Sequence, residues 1–433
     1  MANPPPRHDR TPRVHGRGRG VLLDLAPLRR DRDFRLIWAG QVISAVGTNI
    51  TRVALPFQVY VLTGSTLAVA ALTMVQLVAI LLFAVAAGSL ADAVDRRRML
   101  LVTQSGLAVS SLALAVVAST PAPPLILVLA LAFVHASVAA VDQPTRSAAI
   151  PRLVPPERLS AAIALNQLNF QVASITGPAL GGLLIATIGL GAAYFVDAIS
   201  FSASLLALLA ISPLRPLAGA ARPGLRAIRD GFAFVRSRPV ILSTFAIDLN
   251  AMIFGMPASL FPILALEVFD AGATGFGLLA AAPAAGAFLG ALTSGWVTRA
   301  RRIGAGVIAM VATWGLAITG FGIACVLAGA APTLMFAVAI ATLALAGGAD
   351  VLSAVLRGTI TQLETPDSLR GRVTSIQLLV VTSGPRIGDI EAAAVAAVIG
   401  PSLSVLTGGL LCLAGLVVVV RRFPVLAAHL RPT

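Results

Sequence analysis

Gly88-Ser-Leu-Ala-Asp92-Ala-Val-Asp95-Arg96-Arg97-Arg98-Met99-Leu100 is a short charged hinge set between two hydrophobic runs. Each run is about 20 residues long, enough for a helix to cross the hydrocarbon core of a bilayer. Gly88 lets two helices approach closely, and Asp92 stands where the first run ends. The consecutive arginines hold the turn on the anionic, cytoplasmic side of a membrane. Arginines alone would mark any positive-inside loop. A glycine and an aspartate at this spacing ask for a further explanation.

The alternation at the hinge continues along the chain. Apolar residues make up 57% of the 433 residues, charged residues only 12%, and the mean hydropathy is +0.91. Soluble domains average roughly 45–50% apolar and about 25% charged. An all-α polytopic membrane protein is therefore expected. The net charge of +14 would point a soluble protein toward nucleic acid. Here the chain has no lysine, and most of its 32 basic residues, all arginine, lie between hydrophobic runs. That distribution reads as membrane orientation, with no nucleic-acid partner.

Apolar spans are expected near 36–61, 66–90, 99–119, 125–149, 159–187 and 190–211, then near 239–266, 275–297, 303–329, 334–357, 372–399 and 402–420. The chain thus divides into a disordered basic cytoplasmic tail (1–33), a six-helix bundle (34–211), a cytoplasmic linker (212–238), a second six-helix bundle (239–421) and a cytoplasmic tail (422–433). Within the linker, Ala221 to Arg238 reads as an amphipathic helix. The first tail has no apolar core of the signal-peptide kind and no aromatic residue on which RNA bases would stack.

Connections after odd-numbered spans, such as Thr63-Gly64-Ser65 and Thr120-Pro-Ala-Pro-Pro124, contain no arginine. Those after even-numbered spans carry Arg96 to Arg98, Arg152 and Arg158, six arginines from Arg215 to Arg238, Arg299 to Arg302, and Arg370. Both termini are then cytoplasmic. The halves also repeat. Asp142 and Asp350 lie at similar depth in spans 4 and 10, followed by Arg146 and Arg357, and Val154-Pro-Pro-Glu-Arg-Leu159 matches Glu364-Thr-Pro-Asp-Ser-Leu369. Parallel repeats with a site at their interface suit alternating access by rocking bundles.

The Gly-x-Leu-x-Asp hinge with its basic cluster resembles the loop between helices 2 and 3 of the major facilitator superfamily. Gly177-Pro178-Ala-Leu-Gly181-Gly182 in span 5 resembles the motif on helix 5 of its antiporters, which implies export; a simple proline kink is the alternative. Phe34-Arg-Leu-Ile-Trp-Ala-Gly-Gln41, Val53-Ala-Leu-Pro56, Phe276-Gly-Leu-Leu and Glu364-Thr-Pro-Asp367 look like the branch of enterobactin exporters and drug:proton antiporters. The resemblance implies two six-helix bundles, with Gly88, Asp92, Arg96, Asp142, Arg146 and Asp350 acting in gating.

Charged residues inside spans are costly and mark functional candidates. The superfamily architecture sets helices 1, 4, 7 and 10 around a central cavity, so Arg52, His135 and Asp248 are expected to face substrate or each other. Asn250 and Arg386 are further cavity candidates. Arg52 cannot deprotonate and needs a partner or an anionic ligand. Asp248 is the preferred proton-carrying acid, with Asp389 and Glu391 as the others. Arg386 and Asp389 can alternatively form a structural pair, His135 can be a packing histidine, and Asp197 is expected to reach water near the outer end of span 6. Cys325 and Cys412 read as packing residues, and no metal or other cofactor is expected.

A proton-coupled exporter of a siderophore-like or hydrophobic drug-like solute is therefore expected, monomeric, in a bacterial cytoplasmic membrane. An importer or uniporter of the same fold is the alternative. A sensor or membrane enzyme lacks the His/Glu or Ser-His clusters its chemistry needs. No Gly-x4-Gly-Lys-Ser/Thr loop is present, which argues against ATP as the energy source.

Overall fold

The computed structural model describes residues 24–93, 95–214, 232–295, 300–366 and 369–430, with backbone alone for 84–93 and Ser375. These residues form long helices joined by short connections: α1 (Arg32–Thr63), α2 (Thr66–Ala93), α3 (Arg96–Ala118), α4 (Leu125–Leu153), α5 (Leu159–Thr187) and α6 (Leu190–Ala210). The second half holds α7 (Pro239–Phe254), α8 (Gly272–Thr293), α9 (Ile303–Val326), α10 (Pro332–Glu364), α11 (Arg370–Ile399) and α12 (Pro401–Arg422). Among the described residues, ten candidate membrane spans are long and apolar enough to cross a bilayer. Helices α1 and α11 have the length but are more polar, holding Arg52 in one and Arg386, Asp389 and Glu391 in the other.

Prolines do not break most of these helices. Pro56, Pro144, Pro151, Pro178, Pro283 and Pro385 all sit inside continuous helix. The expected single span over 239–266 is the exception, and its second half is rebuilt. Helix α7 stops at Phe254, a short 3-10 turn follows at Ala258–Leu260, and a π-helical turn runs over Leu264–Val268. Gly255 and Pro257 lie in the break; Gly255 packs so close to the Trp314 indole that a side chain there would collide with it. Irregular backbone at this depth is tolerated because it is enclosed by protein.

The two halves join at the end away from the termini. There α5 lies against α8 and one apolar core runs through both halves, including Phe57, Val69, Tyr194, Leu264 and Phe276. Phe57 and Phe276 stack with centroids 5.6 Å apart. At the end that carries the termini, the shared core continues only down the second half, as far as Leu426, and two smaller clusters stand apart from it. One holds Phe34, Leu100, Ile150, Leu165 and Leu208; the other holds Val235, Ile241, Val373 and Ile376.

Residues 26–31 and 424–428 pack onto this end. Arg158 grips Asp31 with two bonds of 2.9 and 2.7 Å. The short helix Pro424–Ala428 packs Leu426 against α9, so residues 424–428 are docked. Of the expected linker helix, residues 232–237 are helical and Val235 is buried; the rest lies outside the described residues.

Candidate functional site

At the hinge, Asp95 caps α3 by accepting from the Arg98 amide at 3.2 Å. Arg97 donates to the carbonyls of Leu208 and Leu209 at the end of α6, where helix carbonyls lack partners. Arg96 donates to the Ala148 carbonyl of α4 at 2.7 Å. The hinge is thus clamped onto α4 and α6 of its own half. At Gly88 and Asp92 only the backbone is described, and the Asp92 carboxylate lies outside it.

Asp142 is buried and fully engaged. Its Oδ1 accepts from Thr103 at 2.6 Å and Gln104 at 2.9 Å, and its Oδ2 from Arg146 at 2.9 Å. The equivalent acid of the second half, Asp350, behaves differently. It lies 3.6 Å from Arg357, which reaches across to Asp248 of α7 at 2.8 Å and also donates to Ser353 at 3.1 Å. An aspartate–arginine–aspartate cluster therefore ties α7 to α10. Its Asp248–Arg357 contact is a close ion pair rather than an aligned hydrogen bond, since Asp248 Oδ1 has no hydrogen-bond partner of good geometry among the described residues.

Of Arg52, His135 and Asp248, expected to face substrate or each other, two are engaged by other partners. Asp248 is taken by Arg357. His135 is buried between α3 and α4, its Nδ1 2.9 Å from the Ser110 hydroxyl. Arg52 is exposed on α1. Buried polar groups need partners at hand, and each of the first two has a nearer one.

Asn250 is also corrected. It turns away from Asp248, donates to the Cys412 carbonyl at 2.9 Å and packs against Gly415 of α12. Two residues on a helix are about 200° apart in direction, so Asp248 and Asn250 cannot share a face.

Asp389 does not bond Arg386 directly. Its Oδ1 accepts the Ser259 amide at 2.7 Å, and its own carbonyl accepts the Ser259 hydroxyl at 2.8 Å. It thereby holds the restart of the broken seventh span. Glu391 is half-buried farther along α11.

Asp197, expected near water, is fully buried. Thr51 and Ser111 donate to its Oδ2 at 2.5 and 2.7 Å, uniting α1, α3 and α6. Three further residues were not foreseen. The Tyr60 hydroxyl donates to Glu267, linking α1 to the π-helical turn across the halves. Gly277 of α8 meets the span-5 motif: a Cβ on Gly182 would lie 2.8 Å from the Gly277 Cα, and one on Gly277 2.6 Å from the Pro178 carbonyl oxygen. Gly177 abuts Asn49, and Gly181 faces Ile50, on α1. The motif is thus the point where α5 crosses α1 on one side and the other half on the other.

Among the described residues no group of three or more His, Cys, Asp or Glu is arranged to hold a metal.

A model of the transmembrane secretion effector family matches residues 23–432. Among similar proteins, the enterobactin exporter EntS of Citrobacter koseri is 29% identical over 412 residues, 95% of each chain. The enterobactin exporter EntS of Shigella boydii is 29% identical over 390 residues, 90% of this chain and 91% of that one. A POT family transporter in complex with 5-aminolevulinic acid superposes with TM-score 0.72 at 13% identity, over 92% of this chain and 97% of that one. A bacterial homologue of the iron transporter ferroportin superposes with TM-score 0.69 in its inward-facing state, at 15% identity, over 92% of this chain and 99% of that one. Its outward-facing state gives 0.58, at 16% identity, over 92% and 100%. The chain belongs to the transmembrane secretion effector family, whose members are multi-pass transporters of the major facilitator type and not enzymes.

Proposed function

We propose that the protein is a proton-coupled exporter that carries a siderophore-like or hydrophobic drug-like small molecule outward across a bacterial cytoplasmic membrane by alternating access. In this reading all twelve long helices span the bilayer, α1 and α11 turning their charges inward, and both termini are cytoplasmic. The observation that carries it is the contrast between the two ends: one core shared by both halves at one end, separate cores at the other. This is the form of a rocker closed to the outside.

The coupling acids are drawn from Asp248, Asp389 and Glu391. Asp248 is the leading one, because protonation would release Arg357 and loosen α7 from α10. Asp142, Arg146, Arg96 and Asp92, with Asp350 in the second half, take the gating role at the cytoplasmic end. One charge crossing 100 mV is worth about 2.3 kcal/mol, so one proton sustains on the order of a fiftyfold gradient.

The test is direction and driving force in inverted membrane vesicles. An antiporter accumulates substrate when the vesicle interior is acid, and loses it when the pH gradient collapses. Accumulation without dependence on that gradient would favour a uniporter, and movement the other way an importer.

A further inference from the structure

The seventh span is built in two pieces. Helix α7 ends at Phe254, residues 255–257 are not helical, and helix resumes without interruption from Ala258 to Val268, closing on the π-helical turn. This half-helix lies in the seam between the bundles. It touches α1 and α2 of the first half and α8 and α11 of the second. Leu260, Leu264 and Ala265 are fully buried, and Phe261 meets Phe321 of α9 edge-on with centroids 6.1 Å apart.

Helix α11 reaches both sides of the break with consecutive residues. A side chain on Gly388 would collide with the carbonyl oxygens of Met252 and Ile253 at the end of α7, so the two backbones touch there. Asp389, next in sequence, accepts the Ser259 amide at 2.7 Å, and its own carbonyl accepts the Ser259 hydroxyl at 2.8 Å. First-turn amides lack partners within their helix, and a carboxylate beside them satisfies one and complements the helix dipole. From Ser259 to Glu267 is about 12 Å along a helix. At that far end Glu267 accepts from the Tyr60 hydroxyl of α1. The half-helix is thus gripped at its start by its own bundle and at its finish by the opposite one. Isolated helices this short are marginal, so its position depends on those grips.

We propose that Asp389 is a positioning residue for the closed end: by holding Ser259 it sets the half-helix 258–268 where Glu267 reaches Tyr60. This rests on the alternating-access reading and gives α11 a part in the seal between the halves. When the hold on Ser259 is lost, the half-helix swings at residues 255–257 and the bond to Tyr60 goes with it.

The test uses full-length protein in detergent, with Cys325 and Cys412 replaced by alanine and spin labels on T120C and A330C. Both label positions are exposed in connections at the end away from the termini, one in each half. The distance distribution between labels gives the open-to-closed ratio. D389A should raise that ratio roughly tenfold, the value of one hydrogen bond to a charged group. S259A, which loses only the hydroxyl bond, should raise it about fivefold. D389N keeps an oxygen for the Ser259 amide and should stay within about twofold of the parent. A cycle with Y60F separates positioning from general loosening. Acting through Glu267, D389A adds nothing once the Tyr60 hydroxyl is gone, whereas independent contacts would multiply to about a hundredfold.

Multiplying shifts in D389A with Y60F, opening by D389N as large as by D389A, or no opening by D389A overturns the proposal. Should D389A fail to fold, the cycle of S259A with Y60F decides by the same rule. Y60F without any shift removes the alternating-access reading of this end, and the proposal with it. A shift in Y60F with none in D389A removes the positioning role alone.

Discussion

The Tyr60 hydroxyl of α1 donates to the Glu267 carboxylate in the π-helical turn that follows α7, joining the halves at the end away from the termini. Opening that end requires this bond to break, because the residues belong to different bundles. A hydrogen bond to a charged group contributes about 1.5–3 kcal/mol. Y60F and E267Q should therefore shift the population toward the outward-open form by roughly tenfold or more. Spin labels placed across that end would report it as a longer distance; an unchanged distance distribution in both variants would remove the latch.

A second prediction concerns the Asp248–Arg357–Asp350 cluster. Removing one partner of a buried ion pair costs about 3–5 kcal/mol, since the other charge is left without compensation. D248N should lower the melting temperature more than D350N, because Asp248 makes the 2.8 Å contact and is the more buried acid. D248N should also make efflux insensitive to the pH gradient while substrate still binds. Retained gradient dependence would move the coupling role to Asp389 or Glu391.

The crossing of α5 and α8 gives a third. A side chain on Gly277 meets the Pro178 carbonyl oxygen and Gly182 backbone, neither of which can yield as a flexible side chain would. Overpacking costs about 1–3 kcal/mol. G277V should thus disfavour closure of this seam and cut transport by roughly tenfold or more. Wild-type transport by G277V at equal expression would show that the seam opens and closes elsewhere.

Asp197 supplies a fourth. D197N keeps an oxygen for Thr51 and Ser111 and should change stability little. D197A leaves both hydroxyls buried without an acceptor, costing about 1–3 kcal/mol for each unsatisfied group. Melting curves of the two variants in detergent separate a structural polar knot from a site that must ionise: in the latter case D197N would lose transport as well.

Local patterns made much of this architecture readable. The hinge at 88–100 and the arginines after even-numbered spans declare themselves within a few residues, because charge is conspicuous against 57% apolar composition. The span-5 motif stood out as a family resemblance, although nothing in it said that α8 of the other half would meet it. What stayed hidden were partners. Asp389 and Ser259 lie 130 residues apart, and Tyr60 and Glu267 lie 207 apart. Nothing in either neighbourhood names the other.

Some errors were avoidable. Asp248 and Asn250 were assigned to one cavity although helical geometry turns them to different faces. Glu267, just past the apolar span expected over 239–266, is the acid that bridges the halves. Asp197 looked near water because depth was counted along one span, with no regard for the hydroxyls of Thr51 and Ser111 that α1 and α3 bring to it.

The short helix Pro424–Ala428 has a practical consequence. Leu426 is fully buried, and Gly304 at the start of α9 lies directly against its backbone. An affinity tag joined immediately after Ala428 would pull on this seat, and trimming the chain at Arg422 would strip a plug from the base of α9. Purification handles belong beyond Thr433 behind a flexible spacer, and shortened versions made for crystallisation should stop no earlier than Leu430.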